Sequence, residues 1–435
     1  MNTISPLDNR YHNKISDVIE HFDIFNFTKY KLLIECEYFN FLTKIIDNEN
    51  TNTDRVILSN LPITFNKQEF QKIVDFEKIT NHDIQALIDY LKTKILANNA
   101  RWIHFGLTSQ DINNPSMVMM YKDFNNNILK NDMNLLINAI HHLGNNFNYK
   151  MLTFTHGQPA TPSNFKYQFS VYTSKLYNIW DDLFKKYEYK TKFGGSNGQL
   201  TGLKYCYPDL DWDNIISDFT INYLKLSRNE FTTQIDDYSN YFKMFQIYER
   251  LSYILIDLCQ DIWLYCHRKY FRMDNIKGEV GSSAMPHKIN PIQFENAEGN
   301  LKIAVSLFHT IGSSICVSRL QRDLVDSTML RNVGVASGHL ILGIRNIIAG
   351  LKRIKIDKNR CEIDINQNTS VYMEIIQLLL RKWNISDGYN LCKEYSRSKV
   401  NIDLEDFVIF LKENNINLSD SQESKIYQIK QLFNN

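Results

Sequence analysis

Helix-breaking residues are scarce in this chain, and their placement limits what it can fold into. Only 8 prolines and 16 glycines occur among 435 residues. No glycine precedes Gly106, Pro208 is the sole breaker between Gly202 and Gly278, and no proline follows Pro291. Proline removes a ladder hydrogen bond and glycine costs about 1 kcal/mol in a helix interior, so such stretches favour long helices.

Hydrophobic periodicity points the same way. Phe242, Phe245, Tyr248, Leu251, Leu255, Leu258, Ile262 and Cys266 recur in steps of three and four, a single stripe along one helix face. Further long helices are expected over Pro162–Tyr189, Pro291–Ser313 and Ser327–Ala349. Period-two alternation is rare, and short runs such as Ile354-Lys355-Ile356 are too few to build a sheet. The expected class is all-α. Three segments follow from where breakers gather: an N-terminal helical part over 1–107, a long-helix bundle over 108–350, and a smaller helical part over 351–435.

The formal net charge is +1, from 49 Lys and Arg against 48 Asp and Glu. That balance suggests neither a nucleic-acid partner nor a membrane-surface partner. The opening Met1-Asn2-Thr3-Ile4-Ser5-Pro6 carries no basic-then-apolar leader, and no apolar run reaches the ~18 residues of a membrane span. The seven cysteines are scattered without a Cys-x-x-Cys pair, which reads as reduced thiols in a cytoplasmic protein.

The most particular segment runs from Gly278 to Pro291. Two glycines open it, Ser282 and Ser283 expose hydroxyls, and Pro286 and Pro291 bracket Lys288 and Asn290. Pro291 suits a helix start. Such a loop is built to close over an anionic substrate, though a surface turn ending in a helix cap uses the same residue types.

Gly281-Ser282-Ser283-Ala284-Met285-Pro286-His287-Lys288-Ile289-Asn290-Pro291 resembles the signature of the fumarase/aspartase superfamily, Gly-Ser-Ser-x-Met-Pro-x-Lys-x-Asn-Pro. Other segments resemble the adenylosuccinate lyase branch. They are Ser5-Pro6-Leu7-Asp8-Asn9-Arg10-Tyr11, Thr80-Asn81-His82-Asp83, Thr108-Ser109-Gln110-Asp111, Thr155-His156-Gly157-Gln158-Pro159, Thr232-Thr233-Gln234-Ile235, and the run from Arg319 to Asn332. The resemblance extends to about Gly350. Phe193-Gly194-Gly195-Ser196-Asn197-Gly198 departs from the family's turn, and the segment after Arg360 matches it poorly.

The resemblance implies a three-domain fold whose central bundle assembles into a 20-helix homotetramer core with composite sites. It also implies elimination of fumarate from a succinylated purine nucleotide, without cofactor or metal. Ser282 is then the base, with Ser283 as the alternative, and His156 is the acid. Lys288, Asn290, Thr108 and Ser109 suit the succinyl carboxylates, a cation and donors where negative charge develops. Glu295 is placed to orient His156. Arg10, Tyr11, Arg322, Ser327 and Arg331 are candidates for phosphate and ribose, and Asn81, His82, Asp83 and Gln234 for the purine base and the second histidine role. Gln158 is a further contact within the histidine motif. Arg322 and Arg331 lie about two and a half turns apart on an unbroken helix, so a break near Asp326 is expected.

Other readings remain. Argininosuccinate lyase shares the loop but is expected to lack the Thr80–Asp83 and phosphate motifs. A non-catalytic helical relic need not keep the loop's serine, lysine and asparagine. A metal hydrolase would want a His-x-x-x-His or Glu-x-x-His helix, and the sequence contains neither.

Overall fold

A computed structural model describes residues 4–47, 50–276, 278, 284–397 and 399–433. The described residues are mainly helical, with a few short strands. The longest spans Ser239–His267, and others cover Ile24–Ile46, Phe165–Phe184, Ile292–Ile315 and Val333–Leu351. The stripe expected on the first is present: Phe245, Tyr248, Leu251, Leu255, Leu258 and Ile262 are all buried.

Two expected helices differ from their sequence outline. Pro162 belongs to a strand, Gln158–Asn164, which pairs antiparallel with Lys150–Thr155; the helix therefore begins only at Phe165. In a two-stranded ribbon every strand is an edge, so Pro159 and Pro162 can lack an N–H without orphaning a partner. The helix expected from Ser327 is broken at Arg331–Asn332, leaving Val325–Leu330 and Val333–Leu351. The described strands form only three two-stranded ribbons, so the all-α class stands.

The chain divides into two compact units. The first comprises Met1–Asn134, Asn178–Ile256 and Ala297–Arg345. Aromatic contacts knit its core: Phe245 lies 5.6 Å from Tyr121 and 5.3 Å from Phe308, between ring centroids. The second comprises Leu135–Tyr177, Asp257–Asn296 and Asn346–Asn435. Its core gathers Leu152, Ile376, Leu380, Leu404, Phe407, Leu411, Ile426 and Phe433.

The stretch Val325–Leu351 is long and apolar enough to cross a membrane by composition, yet 72% of its most apolar window is buried within the protein. That is how a core helix of a globular protein is placed.

Phe407 has no exposed surface and packs 5.1 Å from Tyr395. Truncating a buried phenylalanine costs about 3–5 kcal/mol. Phe407→Ala is therefore expected to speed amide hydrogen exchange in Leu404–Glu413 by about 100-fold or more. Unchanged exchange would show that this cluster does not hold the second unit together.

Candidate functional site

His156 sits at the tip of the hairpin formed by Lys150–Thr155 and Gln158–Asn164. Thr155 and Gln158 are the last paired residues, leaving His156 and Gly157 as a two-residue turn with φ of 52° and 71°. Positive φ at both centres makes a type I′ turn, whose twist matches the strands. Glycine takes this conformation freely, whereas histidine is strained by about 1 kcal/mol or more. The turn holds an imidazole in solvent, and Gln158 beside it is exposed too.

The base of the hairpin is fixed. Leu152 is buried in the second unit's core, and the Arg268 guanidinium lies 4.0 Å over the Phe154 ring. Thr161 donates to Glu374 at 2.7 Å. The second unit also presents Lys288, exposed, whose backbone N–H donates to the Met285 carbonyl at 3.1 Å. Asn290 follows, half-buried, just ahead of the helix Ile292–Ile315. Ser282 and Ser283 lie outside the described residues. Glu295 does not orient His156 within the chain: its carboxylate accepts the Trp263 indole N–H at 3.1 Å.

In the first unit, Thr108 and Ser109 begin the helix Ser109–Phe124. The Thr108 N–H donates to Asp111 Oδ2 at 2.8 Å, half of a capping box. Asp111 Oδ1 meets the Lys192 ammonium at 2.7 Å, and neither side chain has exposed surface. Burial pulls the Lys192 pKa down, against the opposing pull of Asp111. Nearby, His104 Nδ1 lies 2.6 Å from the buried Glu35 carboxylate. Burial would lower the imidazole's pKa, but the Glu35 charge and hydrogen bond outweigh it and the net shift is upward. Asp236 is also buried and accepts from Asn229 at 2.6 Å. Desolvation pushes its carboxyl up to about 6.

Gln234 donates through Nε2 to the Ser196 carbonyl at 3.2 Å. Arg322, half-buried, lies in the loop before the helix Val325–Leu330, and Arg331 caps that helix's C-terminus. Arg322 and Arg331 thus do not share one unbroken helix, but the helix begins only at Val325 and Asp326 lies within its first turn rather than at a break. Asp326 is buried and accepts from Tyr238 at 2.7 Å and, through its other oxygen, from the Ser327 N–H at 2.6 Å. Asn81 takes a left-handed φ of 51° at a helix end, and His82 caps the next helix by accepting the Gln85 N–H at 3.3 Å. Asp83 is held by Lys31 at 2.6 Å; burial works against ionisation, but the Lys31 charge and bond keep its pKa below the usual range. Arg10 is exposed, and Tyr11 caps the helix His12–Phe22.

The first unit therefore groups Thr108 and Gln234 around one buried polar network, while His156, Gln158, Lys288 and Asn290 belong to the second. Sequence reading missed Lys192 and Glu35. Lys192 looks like any lysine in a lysine-rich stretch, and only its zero exposure separates it from Lys185 or Lys186.

Comparison with known proteins completes the picture. A family model described as a lyase matches residues 44–305, and one described as the adenylosuccinate lyase C-terminal part matches 318–432. The second match corrects the expectation that the segment after Arg360 departs from the family. An adenylosuccinate lyase of Dictyostelium discoideum is 36% identical over 411 residues, covering 91% of this chain and 88% of that protein. One from Legionella pneumophila (strain Corby) is 36% identical over 444 residues, covering 99% and 95%. Among solved structures, a fumarate lyase from Mesorhizobium sp. BNC1 superposes with a TM-score of 0.73 at 16% identity, covering 96% and 93%. A 3-carboxy-cis,cis-muconate lactonizing enzyme from Pseudomonas putida gives 0.74 at 15%, covering 96% and 94%. At such identities these two share the fold alone.

The Glu35–His104 pair makes a signed prediction. A histidine with a raised folded pKa contributes stability below its unfolded value near 6.5, and that stability fades as pH rises through the raised value. Glu35→Gln removes the cause. Exchange of the His104 ring C2 proton, followed by mass spectrometry, is expected to titrate at lower pH in that variant; an unmoved midpoint would refute the pairing.

Proposed function

The chain belongs to the adenylosuccinate lyase family, and on that premise we propose that it eliminates fumarate from adenylosuccinate to leave AMP. The succinylaminoimidazole carboxamide ribotide, with the same succinyl-amine linkage, is a second substrate in this reading.

β-Elimination needs a base at the carbon beside a carboxylate, donors for the dianion that builds up there, and an acid for the leaving nitrogen. Ser282 Oγ takes the proton. The electrons of that C–H bond settle first on the adjacent carboxylate, then form the double bond of fumarate as the C–N bond breaks. The nitrogen keeps the bonding pair and receives a proton from His156. Lys288, Asn290, Thr108 and Ser109 stabilise the dianion, the contribution that is usually largest in such reactions. Arg10, Tyr11, Arg322, Ser327 and Arg331 hold phosphate and ribose; Asn81, His82, Asp83 and Gln234 hold the purine, with Gln158 beside the acid.

The observation that carries the reading is His156: the family's histidine motif falls on a strained hairpin tip that holds the imidazole out in solvent. An acid so placed suits a site completed by other copies of the chain. Exposed apolar side chains on the longest helix suit the same homotetramer: Tyr253 is 55% exposed, Trp263 42% and Leu264 50%. The three-part division into 1–107, 108–350 and 351–435 and a cytoplasmic location belong to this reading too.

Purified protein is expected to convert adenylosuccinate to AMP and fumarate, with no loss of rate on adding a chelator. Turnover of argininosuccinate alone would overturn the assignment. General acid and base groups contribute about 10²–10⁴-fold each. His156→Ala and Ser282→Ala should each lower kcat on that scale while circular dichroism stays unchanged. A Ser282→Ala variant with full kcat would move the base to Ser283 or elsewhere.

A further inference from the structure

The buried Asp111–Lys192 pair takes no part in the chemistry above. Both side chains have no exposed surface, and the charges stand 2.7 Å apart. Moving two ions out of water costs several kcal/mol each, so a buried pair is weak evidence of stabilisation. What marks this pair is where its remaining bonds go. Asp111 Oδ1 also accepts from the Gly194 N–H at 2.8 Å and the Gly195 N–H at 3.2 Å. Asp111 Oδ2 accepts from the Thr108 N–H at 2.8 Å. The Lys192 ammonium donates to the Gly195 carbonyl at 2.7 Å. Asn114, one turn along the same helix, accepts from the Lys192 N–H at 2.8 Å. The Asp111 bonds to Lys192, Gly194 and Gly195, and the Asn114 bond to Lys192, tie the first two turns of the helix Ser109–Phe124 to the segment Thr191–Gly195, while the Thr108 and Gly195-carbonyl bonds brace each side.

That segment leads into the turn that supports Gln234. The Ser196 carbonyl accepts the Gln234 side-chain N–H at 3.2 Å. Gly198 closes the turn with a φ of +81°, and a Cβ there would stand 2.0 Å from the Thr232 carbonyl oxygen. Only glycine lets the turn lie this close to Thr232-Thr233-Gln234. A continuous hydrogen-bonded path therefore runs from Thr108 through Asp111 and Lys192 to the glycine turn, and from there to Gln234.

We propose that Asp111 and Lys192 are positioning residues that set the spacing between Thr108–Ser109 and Gln234, and so between the succinyl-binding and purine-binding ends of the site. The inference rests on the function proposed above and assigns a role to the turn at 193–198, where the chain departs from its family's pattern. An ammonium bridging a carboxylate and a carbonyl fixes both position and direction, whereas an apolar contact would fix neither.

The test uses the whole protein and the variant Lys192→Met/Asp111→Asn. It removes both charges together and leaves an amide oxygen for the glycine N–H groups. Displacement of binding groups by about 1 Å can cost about 100-fold in rate. The variant is expected to keep its circular dichroism and assembly state while kcat/KM for adenylosuccinate falls by about 10-fold or more, chiefly through KM. Combined with Gln234→Ala, which removes the group being positioned, the same double change is expected to cost less than about threefold, because coupled residues are not additive. Full additivity, or an unchanged kcat/KM, would overturn the proposal. Should the neutral pair fail to fold, Lys192→Arg keeps the charge but alters its reach and is run through the same cycle, with the same outcomes deciding. Absence of wild-type turnover would instead remove the functional reading itself.

Discussion

Burial of an apolar stripe along Ser239–His267 is the packing constraint on which the cores of this protein depend. Phe245, Tyr248, Leu251, Leu255, Leu258 and Ile262 cannot reach solvent without exposing large apolar area, at about 25 cal/mol per Å². Within each unit, helices pinned by such burial hold their neighbouring ends in place. The candidate functional groups sit at such ends or in the connections between them. Thr108 and His82 are N-caps, Asn81 and Arg331 are C-caps, and Gln234 and Arg322 lie in loops.

The first unit also buries charge on a scale that packing alone does not call for. Lys192, Asp111, Glu35 and Asp236 are all shut away from solvent. Each has a partner: Lys192 has Asp111, Glu35 has His104, and Asp236 has Asn229 and Asn114. A low-dielectric interior makes an unpaired charge very costly and a paired one highly directional. Desolvation pushes the Asp236 carboxyl up to about 6, against the hydrogen bond from Asn229.

Backbone strain is spread along the chain, at Lys225, Lys269 and Asn384 for example, and it also marks some of the candidate residues and their neighbours. His156, His104 and Asn81 all have positive φ, a conformation that side chains other than glycine's rarely adopt. Two of the three are histidines. Each strained residue is held by neighbours that leave it little choice: His156 by the hairpin register, His104 by Glu35, and Asn81 by its N–H bond to the Glu77 carbonyl.

Much of this was legible in the residues themselves. Scarce glycine and proline, with apolar side chains in steps of three and four, determined an all-helical class, because period and breaker content act locally along the chain. The Ser282 loop and the His156 segment marked the family, because short motifs carry their own spacing. The sequence did not reveal that His156 sits on a hairpin, since Pro159 and Pro162 look like the entry to a helix until a strand is found beside them. Nor did it distinguish Lys192 from its exposed neighbours, or show that the glycine turn at 193–198 leans on Asp111. Those properties depend on which distant segments are brought into contact, and only the tertiary structure settles that, because burial and pairing belong to neighbours in space rather than to neighbours in the chain.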